Sequence, residues 1–276
     1  MVMREVRKEV DNLKALRHPH VVKIFGTYQD TARHILHSHL LMYPVGEGSL
    51  ESFFLATAHC GRSGDTPGLE RHRGTLKKWF GCLASAVAYM HHNRVHHGDI
   101  KPRNIIYLNR QIYFTDFSSS RRFDIGESTS TWSPAQATKL FQSPETCLDT
   151  DIQKHGSKAD VFSLGLVFME MLTILSGKDI SEFHQLLGEI DKTFPGNRQY
   201  WRVAGQFHEC FEKWEIFGSK PEQLFRLCVK RMLMHNKDAR PSAKEVHGRL
   251  MERHVWGYFL HCPCEQNLGE PHEKPH

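Results

Sequence analysis

The sequence predicts an α+β fold in two unequal parts, a small N-terminal unit that carries strands and a larger, mainly helical unit behind it. Three observations predict this. Two runs rich in β-branched and aromatic residues, 21–28 (VVKIFGTY) and 36–45 (LHSHLLMYPV), read as strands. Apolar residues recurring at three- and four-residue steps place helices over 1–16 and 76–92. From residue 157 onward the helical pattern dominates and is broken at Gly177, Pro195 and Pro221.

In residues 1–16, Val2, Val6, Val10, Leu13 and Leu16 form an apolar stripe, while Arg4, Glu5, Arg7, Lys8, Asp11 and Lys14 fill the opposite face. This helix opens with neither a cap nor a preceding turn, so the reading expects a segment upstream of Met1. Arg17-His18-Pro19-His20 breaks the pattern before the first strand, and Pro44 ends the second. Gly46-Glu47-Gly48-Ser49-Leu50 then turns the chain into a short helix expected to run through Leu55. Residues 59–74 are rich in Gly, Ser, Thr and Pro and are predicted to be a surface loop. The next helix, 76–92, carries Trp79, Phe80, Leu83, Val87 and Met90 on one face, and short strands follow at 105–108 and 112–115. Residues 118–143 are polar and Ser/Thr-rich and are predicted to be mobile. The most apolar run, 159–175, is interrupted by Asp160, Ser163 and Glu170 and is short for a bilayer span, so a buried central helix is expected and no membrane span.

Composition narrows the class of function. With 276 residues, 39% hydrophobic and 24% charged, the chain can bury a sizeable core and is neither disordered nor fibrous in type. The net charge of +5 and pI near 8.8 come from Lys and Arg spread along the chain, which argues against a dedicated nucleic-acid surface. Seven scattered cysteines make no disulfide framework and point to a reducing compartment, hence an intracellular protein, cytoplasmic or nuclear. The 20 histidines are expected mostly on polar faces with no ligand role. His261, Cys262, Cys264 and His272 form too tight a cluster for a zinc site, and the last residues read as a frayed tail.

The chemistry is concentrated in His97-Gly98-Asp99-Ile100-Lys101-Pro102-Arg103-Asn104 and in Asp116-Phe117-Ser118. An acid, a cation and an amide lie within eight residues, with a second carboxylate twelve residues after Asn104. Phosphoryl transfer needs this set: a carboxylate to orient and deprotonate a hydroxyl, oxygen ligands for the metal on the phosphates, and a cation near the transferred group.

With these motifs, Ser143-Pro144-Glu145 and the apolar run from Asp160 following in order, the sequence resembles the protein kinase family over about residues 4–254, and Lys101-Pro102 resembles its serine/threonine branch. The resemblance implies residues 1–45 as a partial small lobe, 46–260 as the large lobe and 261–276 as a flexible tail. It implies ATP and Mg²⁺ as cofactors and a protein substrate or protein partner. In these terms Asp99 is the catalytic base, Lys101 steadies the transferred phosphate, and Asn104 and Asp116 hold magnesium. Met42 takes the gatekeeper position, and Tyr43 and Val45 those that bond adenine through the main chain. Pro44, without an N–H, falls where none is needed. Structural roles fall to Glu9 of the regulatory helix, His97 and Phe117 of the two motifs, Thr138 as partner of the catalytic aspartate, and Asp160 as anchor of the catalytic loop. Glu145 and Arg240 are implied as a buried ion pair.

Three departures from the family pattern bear on activity. The glycine-rich loop and strand lysine that normally precede the regulatory helix are not among the eight residues before Glu9, and Lys8, adjacent on the same helix, cannot replace that lysine. Gly98 replaces the arginine of His-Arg-Asp, making a non-RD loop, so phosphorylation among 128–131 is not expected to switch the protein through that arginine. Ser118 replaces the glycine of Asp-Phe-Gly. ATP binding and transfer by residues 1–276 are therefore expected to be weak, and a pseudokinase-like binding module is the alternative. A small-molecule phosphotransferase is a further one, because His-Gly-Asp occurs in kinase-like enzymes acting on aminoglycosides or choline. Lys101, Asp116-Phe117-Ser118 and the Glu145–Arg240 pair favour a protein substrate.

Overall fold

The computed structural model describes residues 14, 16–32, 35–117, 121–122, 139–148, 156–195, 198–216 and 218–252. The predicted first helix, apart from Lys14 and Leu16, lies outside them, as do most of the predicted mobile stretch and the tail. Strands β1 (Lys23–Ala32) and β2 (Ile35–Tyr43) pair antiparallel from Lys23↔Tyr43 to Ala32↔Ile35, with a register shift between Ile24 and Gly26. The small unit is fastened to the large one by main chain. Val22 N–H donates to the Phe114 carbonyl, and Phe114 N–H donates to the His20 carbonyl.

Helix α1 (Leu50–Ser63) is longer than expected, and helix α2 (Thr66–His92) begins ten residues earlier than its apolar stripe. The predicted loop over 59–74 is therefore wrong. Its Gly, Ser, Thr and Pro residues serve as helix punctuation. Gly64 closes α1 at φ 75°, a conformation that costs glycine little, and the Asp65 side chain caps α2 by accepting from Gly68 N–H. Pro67 sits in the first turn of α2, where no helical bond is lost. Between α1 and α2 only Gly64 and Asp65 remain outside a helix.

After α2 come the two-residue strand β4 (Val95–His96), then β5 (Ile105–Leu108) and β6 (Gln111–Phe114), which form a hairpin joined by β3 (Gly48–Ser49). Strand β7 (Arg121–Arg122) pairs back onto β4. This small sheet work brackets the catalytic-type loop between β4 and β5. Helix α3 (Pro144–Leu148) precedes α4 (Ser157–Leu175), the core of the large unit. From Val161 to Leu175 every α4 residue except Ser163 is buried, as expected of an apolar helix surrounded by others. Among the described residues no single helix is long and apolar enough to cross a membrane. Helix α5 (Ile180–Ile190) is held by a capping box between Asp179 and Glu182, and α6 (Phe207–Lys213), α7 (Lys220–Leu224), α8 (Lys230–Met232) and α9 (Ala243–Met251) complete the packing. Of the histidines expected mostly on polar faces, His18, His20, His96 and His97 are instead buried.

Candidate functional site

The loop from His97 to Asn104 is held from beneath by Asp160, in the first turn of α4. Its Oδ2 accepts from His97 N–H at 2.8 Å and its Oδ1 from Gly98 N–H at 2.9 Å, while His91 Nε2 lies 2.9 Å from Oδ2. Burial pushes the Asp160 pKa up, but the hydrogen bond and charge of His91 outweigh it and bring the value to about 2. An ionised carboxylate therefore anchors two consecutive main-chain donors. Gly98, the second of these donors, has φ 78°, so this position favours glycine on backbone grounds.

His97 fixes the other side of the loop. Asp99 N–H donates to its Nδ1 at 3.3 Å, which leaves the ring proton on Nε2, 3.0 Å from the Thr115 carbonyl. Complete burial lowers the His97 pKa, while the charges of Asp160, Asp99 and Asp116 act in the opposite direction. A neutral ring thus ties the loop to the strand end that carries Asp116. Phe117 is buried with its ring 5.0 Å from that of His97.

Asp99, Lys101 and Asn104 are brought together. Lys101 Nζ lies 2.8 Å from Asp99 Oδ2, and Asn104 Nδ2 donates to the same oxygen and to the Asp99 carbonyl, both at 2.9 Å. Both donors converge on one oxygen, and among the described residues none donates to Asp99 Oδ1. The Asn104 amide hydrogens are spent on Asp99, and among the described residues none donates to its Oδ1. Asp116, one strand away, is exposed and adopts φ 59°; Thr115 N–H donates to the Asn104 carbonyl and holds the two segments side by side. An amide oxygen and an exposed carboxylate are hard ligands that suit Mg²⁺. Among the described residues there is no group of three or more His, Cys, Asp or Glu placed to hold a metal.

Met42 is half-buried at the end of β2, and the Thr115 hydroxyl lies 3.9 Å from its sulfur, so the connector reaches the strand that precedes Asp116. Tyr43 and Val45 are exposed by 59% and 80%. Glu145 and Arg240 meet as a two-pronged pair with both N–O distances 2.7 Å. The remaining three guanidinium N–H groups go to the carbonyls of Met234, Lys158 and His235, so all five donors are used on a side chain that is 2% exposed. Burial raises the Glu145 pKa and Arg240 more than reverses this, so the carboxyl sits below its usual value. Glu9, Thr138 and Ser118 lie outside the described residues.

Three contributors were not anticipated from the sequence: His91, the Thr115 carbonyl, and a buried Glu170 in the middle of α4 bonded to Tyr200. His91 stands six residues before His97 near the end of a helix, a spacing with no local chemical signature. Glu170 does have one, since an acid in the apolar middle of a helix requires a partner.

A family model described as the protein kinase domain matches residues 2–250. Among curated proteins the chain is 26% identical over 245 residues to a probable serine/threonine-protein kinase MARK-A of Dictyostelium discoideum, covering 88% of this chain and 19% of that protein. It is 28% identical to mitogen-activated protein kinase 19 of Arabidopsis thaliana, covering 87% and 40%, and 29% identical to CBL-interacting protein kinase 25 of Oryza sativa subsp. japonica, covering 67% and 34%. The chain thus spans between about a fifth and two fifths of the length of these relatives. A loop in which an ionised Asp160 and a neutral His97 present Asp99, Lys101 and Asn104 beside Asp116, together with a family match over nearly all of its length, shows that this chain belongs to the protein kinase family.

Proposed function

We propose that this domain transfers the γ-phosphoryl group of ATP to serine or threonine hydroxyls of a protein. The observation that carries the reading is the bracketed carboxylate: Asp99 Oδ2 takes bonds from Lys101 and Asn104, and Oδ1, with no donor among the described residues, would accept a substrate hydroxyl. In the reaction the hydroxyl oxygen forms a bond to the γ-phosphorus, and the bond from that phosphorus to the β–γ bridging oxygen breaks. ADP leaves and the hydroxyl proton passes to Asp99. Lys101, 2.8 Å from Asp99, lies where it can also meet the oxygens of the transferred group. Asn104 Oδ1 and Asp116 would hold Mg²⁺, which supplies charge neutralisation on the phosphates. Tyr43 and Val45, with exposed side chains, would contribute main-chain contacts to adenine.

Residues 1–276 contain neither a glycine-rich loop nor a strand lysine ahead of Glu9, and losing one such electrostatic contact costs about two to three orders of magnitude in rate. Transfer by this polypeptide is therefore expected to be slow. The test is incubation with γ-labelled ATP, Mg²⁺ and an acceptor protein, followed by phosphoamino-acid separation. Slow labelling confined to serine and threonine supports the reading. Absence of labelling together with absence of Mg²⁺–ATP binding contradicts it and leaves a binding module in its place.

A further inference from the structure

The chain from Lys220 to Met232 runs as one continuous helical stretch made of α7, a π-helical turn over Phe225–Val229, and α8. Leu224, Phe225, Cys228, Val229, Met232 and Leu233 are buried and seat it on the large lobe. The exposed positions come in pairs stepped by four residues: Arg226 with Leu227, Lys230 with Arg231, and Met234 with His235. A step of four overshoots one α-turn and falls short of one π-turn, so this mixed helix keeps the pairs above one another as a single outward stripe. Its two apolar members, Leu227 and Met234, are 51% and 42% exposed.

The charge on this stretch has one sign. Residues 220–237 hold five Lys and Arg and a single acid, Glu222, which is buried and already bonded to Arg226. Lys220, Lys230, Arg231 and Lys237 have no ion-pair partner among the described residues. At the end of the stripe the half-buried Trp201 meets His235 edge-on at 5.7 Å, and the Arg202 guanidinium lies 5.7 Å from the Trp201 ring. An ordinary solvated face mixes both signs of charge and turns its aliphatic residues inward. This one sets aliphatic side chains between cations that nothing neutralises, with a tryptophan at its edge. A surface of anionic headgroups complements that arrangement. The cations meet the headgroup oxygens on long stems, Leu227 and Met234 enter the apolar boundary beneath, and tryptophan favours the same depth. The outer side of a helix is convex, which suits a bilayer surface better than an extended acidic peptide, for which it forms no groove.

We propose that this stripe is a binding surface for anionic phospholipid, which adsorbs the domain to a membrane without spanning it. The binding is independent of the phosphotransfer reading, since none of these residues belongs to the loop around Asp99.

The test is co-sedimentation of chain 1–276 with vesicles of phosphatidylcholine alone and with vesicles containing about 30% phosphatidylserine, in about 0.1 M salt. Partition onto the anionic vesicles is expected to be at least tenfold stronger and to fall steeply as salt rises toward about 1 M. A Lys or Arg near such a surface contributes on the order of fivefold, so Lys230→Glu with Arg231→Glu should weaken partition at least tenfold. Leu227→Ser with Met234→Ser should weaken it at least threefold. Arg71→Glu with Lys78→Glu makes the same change of charge at exposed positions of α2 and should stay within twofold of the unmodified chain. All six positions are exposed, and unchanged melting temperatures verify that the variants fold. Equal partition onto both vesicle types overturns the proposal, as does a Lys230→Glu, Arg231→Glu variant that partitions unchanged, or an α2 variant that loses as much as the stripe variant. Binding to soluble polyglutamate without partition onto anionic vesicles also overturns it, in favour of an acidic protein partner.

Discussion

Replacing Glu145 with alanine isolates the energetic weight of the most completely satisfied side chain in the large lobe. Arg240 is 2% exposed and places all five of its donors, two of them on Glu145 at 2.7 Å. The substitution leaves a buried guanidinium with two unanswered N–H groups. Charged hydrogen bonds contribute about 1.5–3 kcal/mol each, and breaking one side of a buried pair costs about 3–5 kcal/mol; the two estimates agree. For a chain of this size the melting temperature should fall by roughly 10 °C. Urea denaturation followed by circular dichroism at pH 7 reads the loss directly. The difference should shrink at pH 3, because a carboxyl whose folded pKa is below its unfolded value stabilises above the unfolded pKa of 4.5, and that contribution is lost as pH falls through the folded one. Glu145→Ala within 1 kcal/mol of the unmodified chain at pH 7 would refute the reasoning.

Asp160→Asn removes the charge that holds His97 and Gly98 N–H, and should cost about 2 kcal/mol in the same denaturation experiment at pH 7; since the folded Asp160 pKa is about 2 against 3.8 unfolded, this difference should also fade as pH drops from 3.8 toward 2. His18, lowered to about 3 by burial, and His184, lowered to about 4, take up protons in the unfolded chain first, so stability should fall as pH decreases from 6.5, by about 1.4 kcal/mol per pH unit for each. Glu170 acts in the opposite sense: raised to about 8, it stabilises below pH 4.5 and loses that contribution as pH rises to 8, so Glu170→Gln should remove a decline in stability over that range in a pH series of melts. Gly64→Ala, at φ 75° between α1 and α2, should destabilise by about 1 kcal/mol.

The fold class and the central helix were legible because their signals are local and strong. Residues 159–175 are apolar except for Asp160, Ser163, Glu170 and Thr173, a pattern that suits a surrounded helix, and α4 covers Ser157–Leu175. The site was legible because its residues are nearly contiguous: Asp99, Lys101 and Asn104 close on one another within a single loop. The distant pair Glu145 and Arg240 came only through the family motif, since nothing over a separation of 95 residues marks them as partners. The missed region is 59–74, where composition was read as loop. Asp65 and Gly64 are capping residues, and a cap and a loop draw on the same residue types for the same reason, namely satisfying or bending main chain at an end. Thr75 and Leu76, buried on α2, mark where the apolar stripe begins, nearly three turns inside a helix already under way. Glu170 escaped because its partner Tyr200 is 30 residues away and only packing brings them together.

The most direct test of the central claim is phosphoryl transfer by Asp99→Asn compared with the unmodified chain, with Mg²⁺–ATP binding and melting temperature measured on both. The account predicts at least a hundredfold loss of serine and threonine labelling with nucleotide binding retained, because Asn keeps the contacts from Lys101 and Asn104 but cannot take the hydroxyl proton. Labelling that survives Asp99→Asn at the unmodified rate would contradict it.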